Sequence, residues 1–230
     1  MKKKAMALVL ALGLVIGVVA GSSLAWLTHT SGEIENVFTD SDINIALSET
    51  TNNYKMVPGA TIAKDPKVTV LKDSEACWLF VKVTENLGAW DETNTNDKFT
   101  DYLAYNIAEG WTAVDATNHP GVYYRQVDAV FEDAGKSFYV LKGTGDADLK
   151  NGYLTVNGAN VTKGMMDEID GVDSTGKTDT DEARAEIAAR PTLTFKAYAI
   201  QSANLTNSTG AALGADAIVE IWGMVKPTNP

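Results

Sequence analysis

The chain has 230 residues, with 19 basic side chains against 30 acidic ones and a formal charge of −11 at neutral pH. Such an acid excess sets it against nucleic acid and anionic membrane surfaces as partners. Cys77 is the only cysteine, so no intramolecular disulfide can form and a hydrophobic core has to hold the fold.

The first 25 residues have three parts. Lys2, Lys3 and Lys4 form a positive cluster, Ala5 to Ala20 carries no charge, and Gly21-Ser22-Ser23-Leu24-Ala25 ends in a Ser-x-Ala pattern. This is the layout of a secretory signal peptide, and residues 1–25 are expected to be removed. Cleavage is expected between Ala25 and Trp26, with Ala20 as the second position, and membrane contact only through the uncleaved signal. The remaining 16 basic and 30 acidic residues leave a mature charge of −14. Residues 26–230 are expected to form one secreted domain, in the extracellular matrix or at the cell surface.

In chain order, the mature sequence is dominated by period-two patterns. Asp42 to Ser48 alternates, placing Ile43, Ile45 and Leu47 on one face. Ala76 to Thr84 is almost continuously apolar and predicts a strand covered on both faces, with Cys77 as a small buried hydrophobe. A helical turn is expected within Asp97 to Ile107, from the spacing of Phe99, Leu103 and Ile107. Val122 to Val127 and Ser137 to Leu141 read as further strands. Ala183 to Arg190 reads as a helix, opened by Asp179 and Glu182 at capping-box spacing and stopped by Pro191. In Thr192 to Gln201, Leu193, Phe195, Ala197 and Ala199 face one way and Thr194, Lys196 and Tyr198 the other. Ala217 to Val225 completes the expected strands. Gly88 to Asp97, Lys142 to Gly152 and Asp167 to Asp181 read as loops. The fold class is mostly β: a sandwich of packed antiparallel sheets with one or two short helices in insertions.

Motifs that carry chemistry are few. Gly171 to Thr178 satisfies the Walker A spacing, but Met165 to Asp170 is too acidic for the buried strand that must feed a phosphate loop. Asp167, Asp170, Asp173, Asp179 and Asp181 form a weak calcium-ligand set without EF-hand spacing, and Asp146 with Asp148 is a separate candidate; a structural calcium is the one cofactor they suggest. Only His29 and His119 are available as histidines, and neither an HExxH helix nor a Gly-x-Ser-x-Gly elbow occurs, so no enzyme activity is expected. A Cys77–His119 dyad can be written down, yet Cys77 sits in an apolar run rather than an electropositive site. Trp78, Trp90, Trp111, Trp222 and the pair Tyr123-Tyr124 are candidates for a carbohydrate groove.

Two regions carry a family resemblance. Leu24-Ala25-Trp26-Leu27-Thr28, Asn36-Val37-Phe38-Thr39 and Asp42-Ile43-Asn44-Ile45 form the first; Lys55-Met56-Val57-Pro58-Gly59 and Lys64-Asp65-Pro66-Lys67-Val68-Thr69-Val70 form the second. Together they resemble the TasA and camelysin group of Gram-positive proteins, exported with a SipW-type signal peptidase. The resemblance covers under a quarter of the chain. It implies a jelly-roll-like β-sandwich and a structural role in biofilm matrix fibres, in which a freed N-terminal strand is donated to the next subunit. The donor here would be Trp26 to Phe38, with Trp26, Leu27, Ile34, Val37 and Phe38 as its self-assembly residues. Its acceptor is expected near Asp42 to Glu49 or Ala217 to Val225. The implied partners are the chain itself, the signal peptidase, and cell-wall or matrix components. Protease activity described for some members is not carried over, because no zinc-ligand set is present. The alternative expectation is a monomeric surface module that binds a glycan or host ligand.

Overall fold

The computed structural model describes residues 28–31, 43–51, 54–88, 90, 97–170 and 190–225. Its strands are β1 (Thr28–Ser31), β2 (Ile45–Ser48), β3 (Thr61–Ala63), β4 (Lys67–Val70), β5 (Cys77–Asn86), β6 (Leu103–Tyr105), β7 (Thr112–Asp115), β8 (His119–Val127), β9 (Lys136–Tyr139), β10 (Tyr153–Val156) and β11 (Thr192–Gln201). The helices are α1 (Phe99–Tyr102), α2 (Lys163–Asp170) and α3 (Ile218–Val225), the last preceded by a 3-10 turn at Ala215–Ala217.

All pairings between these strands are antiparallel. They build a five-stranded sheet in the order β1-β11-β5-β8-β7 and two three-stranded sheets, β3-β10-β6 and β2-β4-β9. The fold is therefore the expected β-sandwich with short helices added. Its axis is the pairing of β5 with β11, which runs unbroken from Cys77 opposite Gln201 to Asn86 opposite Thr192.

Alternation along those two strands sends side chains into two different cores. Cys77, Leu79, Val81 and Val83 meet Phe195, Ala197 and Ala199 on the inner face, and Ile45, Val68 and Val70 of the β2-β4-β9 sheet close over them. On the outer face Trp78, Phe80, Tyr198 and Ile200 pack against Ile221, Trp222 and Val225 of α3. The Phe80 and Tyr198 rings lie 5.4 and 5.2 Å from the Trp222 ring, centroid to centroid. A third cluster, with Trp90, Phe99, Tyr102, Leu103, Leu154 and Val156, fills the space beneath the β3-β10-β6 sheet.

Two glycines are demanded by geometry. Gly59 has φ +82° at the Pro58-Gly59 turn, where the Ala60 N–H donates to the Val57 carbonyl at 2.9 Å. Gly121 has φ +74°, and a Cβ there would lie 2.3 Å from the Val83 carbonyl oxygen, so β8 can lie this close to β5 only with hydrogen at that position.

The structure corrects several expectations. Ala217 to Val225 is helical, not a strand: Ile218, Ile221, Trp222 and Val225 are buried at spacings of three and four, which is helical period. The nearly unbroken apolar run masks that period in the sequence. Asp167 to Asp170 belongs to α2 rather than a loop; Thr162 starts the helix, its hydroxyl accepting the Met165 N–H at 3.3 Å. The expected turn in Asp97 to Ile107 is a single turn, α1, after which the chain leaves as β6. The helix expected over Ala183 to Arg190 lies outside the described residues, except Arg190.

Phe80 is fully buried between the helix and the sheet. Phe80→Ala is expected to cost about 3–5 kcal/mol, read as a lowered denaturation midpoint at unchanged urea dependence.

Candidate functional site

β11 has β5 along its whole length on one side, and among the described residues β1 pairs with part of the other. Thr28, His29, Thr30 and Ser31 stand opposite Ile200, Ala199, Tyr198 and Ala197. Thr192 to Lys196 have no strand on that side among the described residues. An open edge offers a row of N–H and C=O groups to another strand. The opposite edge of the sheet is closed to such addition in a different way, since β7 is four residues long and its register shifts between Ala113 and Asp115.

Beside the uncovered half of β11 lies a cavity of about 410 Å³. Thr192, Leu193 and Thr194 form one wall, and no residue of β5 takes part. Met56, Ile62, Phe99, Leu103 and Leu154 supply an apolar side, whereas Lys64 and Arg190 supply two cations. Lys64 is only 7% exposed, unusual for a lysine. Its ammonium donates to Glu49 Oε1 at 2.8 Å and lies 4.6 Å from the Tyr54 ring centroid and 5.4 Å from that of Phe195. The single hydroxyl proton of Tyr54 is shared between two acceptors, the same Glu49 oxygen at 2.9 Å and the Thr51 carbonyl. Burial, then the hydrogen bond to Glu49, pushes the Tyr54 hydroxyl pKa well above its ordinary value, so it stays a donor. Next to this cluster, Asp65 accepts from the Thr50 N–H at 3.0 Å and from the Thr50 hydroxyl at 2.6 Å. Burial opposes ionisation of Asp65, but these bonds outweigh it and hold the carboxyl below its ordinary range.

The residues singled out in the sequence fall in different places. Trp26, Leu27, Ile34, Val37 and Phe38 lie outside the described residues, as do Ala25, Asp173, Asp179 and Asp181, and only Thr28 to Ser31 of the donor segment is described. Asp167 and Asp170 sit on the α2 backbone, and Asp146 accepts the Asp148 N–H at 2.9 Å within an exposed turn. Among the described residues no group of three or more His, Cys, Asp and Glu side chains comes together to hold a metal. Gly171 to Thr178 is not described, but a helix, α2, leads into it where a phosphate loop would need a strand. Cys77 stands opposite Val127, eight positions along β8 from His119, or about 27 Å at strand spacing. No dyad can form. The four tryptophans do not line a groove: Trp78 and Trp222, Trp111, and Trp90 are buried in the three separate cores.

Sequence reasoning missed the cavity. In the sequence Lys64 reads only as part of the second resemblance segment, β3, β7 and β10 carry no expectation, and β6 falls where a helical turn is expected. The one available signal is a lysine held among Met56, Ile62 and Pro66, which nothing in a single sequence marks as buried.

No family model, characterised protein or solved structure matches this chain.

Two outcomes follow from these environments. Burial pushes the Cys77 thiol up to about 12. Folded protein is therefore expected to resist iodoacetamide at pH 8 and to react fully in denaturant; prompt labelling of the folded chain would contradict its place in the core. Asp65 has a folded pKa below its ordinary 3.8, so its contribution to stability is complete above that value and is lost as the pH falls through the folded one. Urea midpoints are expected to hold from pH 7 to 5 and fall below pH 4, with a shallower fall in Asp65→Asn.

Proposed function

We propose that the protein is a secreted structural subunit of extracellular matrix or cell-surface fibres, of the TasA and camelysin type, whose copies join by exchange of the N-terminal strand after signal cleavage. The observation that carries this reading is β1 itself, seated at the edge of the large sheet beside Thr192 to Lys196, which have no strand on that side among the described residues. It belongs to the Trp26 to Phe38 segment and lies on the β11 edge, so the acceptor is β11 rather than Asp42 to Glu49 or Ala217 to Val225.

Chain connectivity explains why the segment cannot cover the whole edge within its own molecule. Asn44 is tied to Ser74, its N–H donating to Ser74 Oγ at 3.0 Å, and Ser74 lies beyond the Cys77–Gln201 end of the sheet. Suppose the β1 register ran on until Asn36 stood opposite Thr192. The eight steps from Asn36 to Asn44 reach at most about 29 Å. The return past nine β11 positions alone needs about 31 Å, before the crossing of about 10 Å between packed sheets. A strand from a second copy has no such tether. In the same register it can pair from Leu27 opposite Gln201 to Asn36 opposite Thr192, ten positions where four are described.

The six added positions bring about six main-chain hydrogen bonds at about 1 kcal/mol each. Association opposes this with about 4 kcal/mol or more, so side-chain contacts have to supply the rest of a stable joint. A monomeric module for a glycan is the second reading, but it would need a surface other than the buried tryptophans.

Mature protein lacking Trp26 to Phe38 is expected to stay folded and monomeric while residues 26–230 polymerise. Sedimentation with electron microscopy reads the outcome, and fibres from the truncated chain would sink the strand-exchange reading.

A further inference from the structure

We propose that Asn151 is a self-modification site: its side-chain amide converts to aspartate and isoaspartate, while Asn157 is held back from the same reaction. The chain has two Asn-Gly pairs, Asn151-Gly152 and Asn157-Gly158, and they flank β10 on either side.

The chemistry belongs to that dipeptide. The glycine nitrogen, on losing its proton to water or hydroxide, attacks the asparagine Cγ and closes a succinimide ring. The Cγ–Nδ2 bond breaks, and the amide nitrogen leaves as ammonia. Water then opens the ring. Opening at the side-chain carbonyl gives aspartate; opening at the main-chain carbonyl gives isoaspartate, whose backbone runs through Cβ and is longer by a methylene. Glycine permits the attack because it carries no Cβ to block it.

The two pairs differ in how freely the asparagine can bring Cγ onto the glycine nitrogen. Asn157 is clamped, its Nδ2 donating to the Asp101 carbonyl at 2.8 Å and its Oδ1 accepting the Ala159 N–H at 3.0 Å. Its own N–H donates to the Tyr102 carbonyl at 2.8 Å, and its carbonyl accepts the Asn160 and Val161 N–H groups. Both side-chain bonds have to break before attack can begin. Asn151, by contrast, enters no hydrogen bond among the described residues, through side chain or main chain. The Gly152 N–H donates to the Leu149 carbonyl at 3.2 Å, at the long end of the range. Gly152 can stay in place, since the Asn151 side chain is what has to swing. Both asparagines are partly exposed, so water reaches them.

The backbone at this point has no slack. The Gly152 carbonyl accepts the Lys64 N–H at 3.1 Å, and a Cβ on Gly152 would lie 2.2 Å from the Lys64 carbonyl oxygen. A methylene added just ahead of Gly152 displaces that contact, whereas conversion to aspartate adds only a charge.

Ageing the mature protein at pH 8 tests the assignment, with isoaspartyl methyltransferase labelling and peptide mapping as the readout. In guanidinium both pairs are expected to convert at similar rates, which sets the intrinsic scale. In the folded protein Asn151 is expected to convert about tenfold or more faster than Asn157, the factor that two ordinary hydrogen bonds supply. Asn151→Gln is expected to remove the folded-state signal while leaving the urea midpoint unchanged. Equal rates at the two pairs in the folded chain, faster conversion at Asn157, or an Asn151 that stays intact while the denatured chain converts would each overturn the proposal.

Discussion

Everything in the molecule hangs on the ten-residue pairing of β5 with β11. Those strands supply the inner core with one set of side chains and the outer core with the other, so neither layer has a floor without them. The pairing is distant in sequence, which makes its closure costly in chain entropy. The two clusters formed on either side of it offset that cost. Among the described residues, β5 is the only neighbour of β11 over Thr192 to Lys196.

What was legible in the sequence was whatever repeats with period two inside one long strand. Thr192 to Gln201 declared its two faces through Leu193, Phe195, Ala197 and Ala199 against Thr194, Lys196 and Tyr198, and Cys77 to Val83 declared burial on both sides. Short strands such as Thr61 to Ala63 and Leu103 to Tyr105 hold too few residues to show a period, and their neighbours decide their state. Ile218 to Val225 failed for the opposite reason. A run in which almost every residue is apolar looks the same as strand or helix, and its location over Phe80 and Tyr198 is what selects the helix. The candidate site was legible only as a segment. The edge that meets it depends on contacts between positions more than 160 apart, and the cavity on Lys64 being enclosed by residues from four separate stretches.

Charge at the sheet edges is arranged unevenly. Lys196 is exposed on the uncovered half of β11, and charged side chains on an edge discourage indiscriminate pairing. At the far edge, the Asp115 carboxylate is held by the Thr117 and Asn118 N–H groups at 2.9 and 3.0 Å, which fixes the tight return from β7 to β8. β7 at one edge is four residues long with a shifted register, whereas β11 beside the other runs for ten residues, so the two sides of the sheet cannot substitute for one another.

The helix α3 has a consequence for the shape of any assembly. With Trp222 seated on Phe80 and Tyr198, the outer surface of the large sheet is occupied, and the β2-β4-β9 sheet occupies the inner one. Flat β-sheets that expose a face can grow by lamination into slabs. Here both faces are already taken by the chain's own elements, so extension is restricted to the plane of the sheet. Copies joined by strand addition would then grow in one dimension, as a thread rather than a plaque.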